Sequence, residues 1–295
     1  MKINSQTAVS TSRVLLVPYE KHHVHTYHSW MQDPSIQEAT ASEPLSLDEE
    51  YENQVSWREA HDKLTFIVCE PPAPALGAAA AAVRDHGARA ESMRGDINFF
   101  LYADEEEEQQ HDGGEDDDEN GRAEAPSGRC AGETGARRGT RWVVGEVDVM
   151  IADEGHRGRG FGRGAVRALL VYLRRNMRGI LAEYAGGGEH GRACPPSSSS
   201  STAHTRRSED DAFGDDDGDD DDGEQQGAPV RLRGLMAKIK EGNAGSRALF
   251  AGLGFTQRGE VNYFGEVTVV MGWEEAARRA AVWEGGEAYG EVDLW

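Results

Sequence analysis

The 295-residue chain has only three cysteines, and two of them, Cys130 and Cys194, sit in acidic low-complexity stretches. Three cysteines so placed exclude a disulfide framework and a cysteine-built metal knot, and they suit a reducing compartment. No apolar run approaches the ~18 residues of a membrane-spanning helix, and no N-terminal segment has the form of a signal peptide. These absences predict a soluble, cytoplasmic protein with no membrane partner. Basic residues are scarce: 31 Lys and Arg stand against 53 Asp and Glu, a net charge of −22. That balance argues against a nucleic-acid partner, because such partners need a positive surface.

The acidity is local. Residues 104–140 hold 13 Asp and Glu against 4 Arg, and residues 184–230 hold 12 against 3. Each segment carries −9, so the two carry −18 of the −22 and the rest of the chain is nearly balanced. Runs such as Asp104–Glu108, Glu115–Glu119, Ser197–Ser201 and Asp215–Asp222 have almost nothing to bury. Both segments therefore read as disordered insertions, which an exposed loop accepts at little cost. A Pro/Ala-rich stretch makes 71–93 a third expansion. The remainder of residues 1–273 reads as one interrupted domain, with a short helix and a loose tail over 274–295.

Periodicity supplies the elements. Val14–Val17, Leu64–Glu70, Asp96–Tyr102, Trp142–Ala152, Leu235–Ile239, Phe255–Val261 and Phe264–Trp273 read as strands. Lys21 to Asp33 reads as a helix, and Ser46 with Glu49 forms a capping box at the start of another. Val166, Leu169, Leu170, Leu173 and Met177 recur at helical spacing within Gly164 to Arg178. Asn243 to Leu253 reads as a helix closed by Gly254. The result is a mixed α/β chain.

One stretch carries the chemistry. Arg157-Gly158-Arg159-Gly160-Phe161-Gly162 joins a strand to a long helix. A helix start leaves backbone N–H groups unpaired, and together with the positive helix end they attract phosphate oxygens. Three ligands compete for such a turn. Gly160-Phe161-Gly162-Arg163-Gly164-Ala165 fits G-x-G-x-x-A, with Glu183 as a ribose-binding acid, but antiparallel-looking strands precede it rather than a βαβ unit. A nucleoside triphosphate site lacks its Gly-Lys-Ser/Thr. The third ligand is coenzyme A.

Arg157-x-x-Gly160-x-Gly162 resembles the R/Q-x-x-G-x-G/A signature of the GNAT acetyltransferases. The surroundings resemble that family too: a strand before, a long helix after, then Leu235–Ile239, an Asn243-led helix and Gly254-Phe255. Within it, Thr40–Leu45, Asp62–Ile67, Gly95–Asn98, Gly145–Ala152 and Val267-Thr268 look like the N-acetyltransferase 9 branch. The resemblance implies a GNAT fold, a twisted and mostly antiparallel sheet of about seven strands flanked by helices. It implies acetyl-CoA as co-substrate, no metal, and a protein N-terminal α-amine as acceptor, that of α/β-tubulin in this branch. A protein that only holds acetyl-CoA and docks on tubulin, and an enzyme for small-molecule amines, are the rival readings.

The residues have matching tasks. The Arg157–Gly162 backbone would hold the pyrophosphate, with Arg157 and Arg159 adding charge and Phe161 packing beneath. By analogy with the family, Met150 and Ala152 would offer backbone groups to the pantetheine arm, and Asn243 would contact the cofactor or merely cap its helix. Glu146 lies four residues before Met150, on the same strand face, and matches the position of a glutamate base in some histone-acetylating relatives; Asp148 is the second candidate. Phe250 stands where many family members carry a tyrosine acid, leaving Tyr263 as a substitute hydroxyl or a plain surface aromatic. His22, His23, His25 and His28 cluster on one helix without carboxylate or cysteine company, so a metal site is not expected there.

Overall fold

The computed structural model describes residues 1–72, 80–104, 140–187, 228–286 and 288–294. The two acidic segments lie almost wholly outside the described residues, and the expectation of disorder lies there with them.

The described residues form nine strands: β1 Thr7–Ser10, β2 Leu15–Pro18, β3 Lys63–Cys69, β4 Met93–Ala103, β5 Arg141–Ile151, β6 Val230–Lys240, β7 Thr256–Arg258, β8 Glu266–Gly272 and β9 Gly290–Asp293. Seven α-helices flank them: α1 Val24–Met31, α2 Pro34–Thr40, α3 Leu47–Glu59, α4 Ala80–Gly87, α5 Phe161–Gly186, α6 Ala244–Leu253 and α7 Trp273–Gly286. The strands make one sheet in the order β7-β8-β6-β5-β4-β3-β2-β1-β9. Every pairing is antiparallel except β5 with β6.

The sheet is covered on both sides at β2 and β3. Leu64, Phe66 and Val68 of β3 join the core built on α5, whereas Ile67 and Cys69 face α1 and α4. Burial on both faces explains why this strand reads as an apolar run without alternation. Phe66 meets Tyr172 of α5 edge-on at 5.3 Å. Helix α5 buries Val166, Leu169, Leu170, Leu173 and Ile180 in that core, and each such side chain contributes roughly 1.5–3 kcal/mol. The Ser46–Glu49 capping box forms as the sequence predicts, with Ser46 N–H donating to Glu49 Oε2 at 2.8 Å.

Four expectations change. The 71–93 stretch is not a loop throughout: α4 buries Val83, a short 3₁₀ turn spans Ala90–Ser92, and β4 begins at Met93. His23 anchors it, its Nε2 lying 3.1 Å from Gly87 O. The tail is not loose, because β9 pairs with β1 and Arg84 donates to Leu294 O at 2.8 Å. With β1 it raises the expected seven strands to nine. Helix α5 runs from Phe161 to Gly186, beyond both predicted ends. Helix α2 has no counterpart in the periodicity; Asp33 caps it, accepting from Ser35 N–H at 2.8 Å, and Pro34 takes its first turn.

The parallel pair positions the site. Pairing of β5 with β6 runs from Arg141 opposite Val230 to Glu146 opposite Met236 and stops there. Both strands continue, to Ile151 and Lys240, each held by its outer neighbour alone. The sheet thus opens along its middle, beyond the last shared rung.

Removing residues 288–295 strips β9 from β1 and uncovers an edge strand. Urea unfolding should then report a loss on the order of 2–4 kcal/mol, with aggregation on warming; an unchanged midpoint would show that β9 adds nothing.

Candidate active site

Strand β5 organises the cleft. Glu146, Asp148 and Met150 share a face, and the register sets Phe100, Asn98 and Asp96 of β4 opposite them on that same face. These six residues, with Lys238 of β6, line a cleft of about 1090 Å³ that runs to the glycine turn. Tyr27 and Ile36, from α1 and α2, line it from above the sheet.

Backbone direction follows from parity. Arg141 N–H donates to Pro229 O at 3.0 Å, on the β6 side. Trp142 O accepts from Asp104 N–H at 3.1 Å, and Ala152 N–H donates to Arg94 O at 2.9 Å, both on the β4 side. The register between is unbroken, so alternation turns the Val147 carbonyl and the peptide groups of Val149 and Ile151 toward the gap, the Val147 N–H belonging to the last rung with Met236. The expectation that Met150 and Ala152 offer backbone groups there is corrected by one residue: Met150 and the Ala152 N–H belong to the ladder with β4, and the Ala152 carbonyl accepts from Arg157.

At the other end of the cleft, Gly158 and Gly160 adopt φ of 73° and 95°. A Cβ on either would meet nothing within 4 Å, so the left-handed backbone, not crowding, requires glycine. Gly160 caps α5, accepting from Gly164 N–H at 2.9 Å. Phe161, Gly162 and Arg163 have no carbonyl one turn back within the helix, so their N–H groups face outward. Phe161 is half-buried, edge-on to His156 at 5.9 Å. Arg13, Arg159 and Arg163 line this end.

Arg157 has another task. Its Nε donates to Ile151 O at 2.9 Å and its Nη2 to Ala152 O at 3.1 Å, while Glu154 lies 3.3 Å away. The guanidinium staples the turn to the end of β5 rather than reaching over it. Asn243 caps α6, accepting from Ser246 N–H at 3.0 Å, and also lines the cleft. Glu183 sits 22 residues after Phe161 along α5, roughly 33 Å away at the helical rise, so it cannot serve a ribose at the turn. It accepts instead from Lys2 and Ile3 N–H.

The two carboxylates proposed from sequence live in different surroundings. Glu146 is buried and paired with Lys238 Nζ at 2.9 Å. Asp148 faces the open cleft, reached by solvent yet hemmed by protein on its other sides. Desolvation foremost, then the charges of Glu146 and Asp96, push its carboxyl up to about 7. Asp96, which the sequence reading missed, is buried beside them, and burial raises it to about 6. It accepts from Asn98 Nδ2 at 2.8 Å and from Tyr27 Oη at 3.2 Å. Polar residues at alternate positions of an otherwise apolar strand were the available signal.

Phe250 is buried against Phe255, ring centroids 5.1 Å apart. Tyr263 is 96% exposed on the β7–β8 hairpin and does not line the cleft, so it is a surface aromatic. His23 is buried between Glu20 N–H and Gly87 O. Among the described residues, no group of three or more His, Cys, Asp or Glu could hold a metal ion, and no helix is long and apolar enough to cross a membrane.

Comparison with known proteins agrees with this geometry. The model of the acetyltransferase (GNAT) domain matches residues 13–256. An N-acetyltransferase 9-like protein of Schizosaccharomyces pombe is 42% identical over 59% of this chain and 75% of its own length. The alpha/beta-tubulin-N-acetyltransferase 9 of Drosophila melanogaster is 37% identical, over 58% of this chain and 65% of that one. Its Homo sapiens namesake is 36% identical, over 58% and 63%. The chain therefore belongs to the GNAT acetyltransferase family, in its N-acetyltransferase 9 branch, and is an N-acetyltransferase.

Gly160→Asn and Gly160→Asp separate shape from charge at the turn, since both side chains meet the same backbone strain and are among the non-glycine residues that enter the left-handed region most readily. Calorimetric titration with coenzyme A should show a moderate loss for Asn and at least a hundredfold loss for Asp, with both proteins folded. Equal affinities for the two variants would remove the turn from the site.

Proposed function

We propose that the chain moves an acetyl group from acetyl-CoA to the N-terminal α-amine of a protein, with tubulin as acceptor. The observation that carries this reading is the polarity of one continuous cleft: unpaired N–H groups and arginines at the glycine turn, carboxylates at the other end. The first end suits a pyrophosphate and the second an ammonium group. Tubulin enters through the names of the fly and human relatives.

The donor supplies a thioester carbonyl, and the Val147 carbonyl with the peptide groups of Val149 and Ile151 faces the gap in which its arm would lie. The amine attacks the carbonyl carbon, a C–N bond forms, the C–S bond breaks, and the thiolate leaves. The amine's proton needs an acceptor. Asp148 fits better than Glu146, because Glu146 is buried and engaged by Lys238, whereas Asp148 faces the cleft with a carboxyl near 7. Its side must be deprotonated to act, so its contribution grows as pH rises through about 7.

Phe250 cannot protonate the thiolate, and the exposed Tyr263 is out of place. That favours a second reading, a protein that holds acetyl-CoA without turning it over. Coenzyme A release with a tubulin N-terminal peptide separates the two: tight acetyl-CoA binding with release at background would sink the enzymatic reading.

Asp148→Asn should lower kcat at least a hundredfold with acetyl-CoA affinity unchanged, as loss of a general base does. Glu146→Gln should cost less, about tenfold, acting through Lys238. Rates in the reverse order would restore Glu146 as the base.

A further inference from the structure

Asn98 carries an unusual constraint. Its Nδ2 donates to Asp96 Oδ2 at 2.8 Å, and Tyr27 Oη donates to the same oxygen at 3.2 Å. Asp96 is 3% exposed and Asn98 6%. A carboxylate can only accept, so it fixes which end of the amide faces it, and Asn98 Oδ1 must point the other way. That oxygen is buried with no hydrogen-bond partner. A buried acceptor left unpaired costs on the order of 1–3 kcal/mol. Its missing donor is the feature to explain.

The register supplies two candidates, Thr65 of β3, whose buried Oγ1 likewise has no hydrogen-bond partner, and Asp148 of β5; only the second titrates. Asn98 lies directly opposite Asp148 on the cleft-lining face. Side chains so opposed have Cβ atoms about 4.5–5.5 Å apart, close enough for the two short chains to meet. An ionised Asp148 has no proton to offer an amide oxygen. A protonated Asp148 has one.

We propose that Asn98 is the positioning residue for Asp148: its amide oxygen accepts the hydrogen bond of the carboxylic acid formed when Asp148 takes the proton of the amine, and Asp96 with Tyr27 holds the amide in that orientation. The step balances without a further reactant, since one proton moves from nitrogen to a carboxylate oxygen and the amide only accepts. The inference rests on the acetyl-transfer reading for its purpose. A hydrogen bond to the neutral acid favours that form, which makes Asp148 a better proton acceptor near neutral pH. The other groups that face Asp148 are Glu146 on its own strand, Asp96 and Tyr102 on β4, Lys238 on β6 and Glu266 on β8. Glu146 is paired with Lys238 and Glu266 with Lys240, at 2.9 and 3.1 Å. Asp148 has no basic partner of its own in this set, so a neutral dipole beside it adds to the desolvation and like charge that already favour its protonated form.

Carbon-13 NMR of the full chain tests this without catalysis. In the unmodified protein the Asn98 side-chain carbonyl and the Asp148 carboxyl should titrate with one shared midpoint. Asp148→Asn should abolish that shared component of the Asn98 titration and leave only the one near 6 that Asp96 contributes, and Asn98→Ala should lower the Asp148 midpoint by about one pH unit while coenzyme A affinity stays unchanged. The acid limb of the kcat profile should move down by the same amount. Asn98→Asp should shift the midpoint upward instead, because two opposed carboxylates share a proton; a purely structural role would not reverse sign between the two variants. An Asn98 carbonyl that ignores the Asp148 titration in the unmodified protein overturns the inference, even if Asn98→Ala fails to fold. A protein that releases no coenzyme A but shows the shared midpoint overturns the acetyl-transfer reading alone.

Discussion

The end of pairing between β5 and β6, at Glu146 opposite Met236, is the constraint on which the rest of the molecule depends. Up to that rung the two strands satisfy each other's peptide groups. Beyond it each strand has one free edge inside the protein, where unpaired N–H and C=O groups are costly. The outer neighbours keep the strands straight: β4 pairs with β5 as far as Ile151, and β8 pairs with β6 as far as Lys240. The split is therefore held open by the sheet itself. A ligand arm that can hydrogen-bond as a strand would replace the lost partner of the Val147 carbonyl and of Val149 and Ile151. Arg157 already covers the last of these carbonyls, at Ile151, so the turn and the split are locked to one another.

Charge is sorted along this opening. Arginines gather where α5 begins and its N–H groups point out, and carboxylates gather where the strands part. Glu146 and Asp148, two residues apart on one strand face, sit in different surroundings because only one is paired with a cation. Lys238 Nζ lies 2.9 Å from Glu146 Oε2. Asp148 is left with desolvation and like charge, both of which favour the protonated form. The surroundings of the two carboxylates thus differ more than their residue types do.

Much of this was legible beforehand. The glycine turn, the strand before it and the long helix after it follow from spacing, because positive φ and helical periodicity leave marks in the sequence. Gly254 ending α6 is of the same kind, at φ 100°. The buried strands β2 and β3 were readable as apolar runs. Other features leave weaker marks. β9 is four residues long, and its partner β1 is no longer; each gains its stability from the other, across nearly the whole chain. Helix α4 follows an Ala-rich stretch whose composition reads as loop, and it is held by Val83 and by His23 through Gly87.

The site shows most clearly where one-dimensional reasoning stops. Side-chain faces follow from counting by two, so Glu146, Asp148 and Met150 could be grouped correctly. Which edge a peptide group meets is a separate parity, and only an actual hydrogen bond sets it. Ala152 N–H bonding to Arg94 O decides that the even residues of β5 give their side chains to the cleft but their backbone to β4. The odd residues do the reverse. A strand at a split sheet can therefore serve two ligands at once, offering peptide groups from one set of residues and titrating side chains from the other. The two sets cannot be exchanged by a one-residue slip without turning the carboxylates into the core beneath α5. That coupling ties the register of β5 to the position of its carboxylates more tightly than packing alone would.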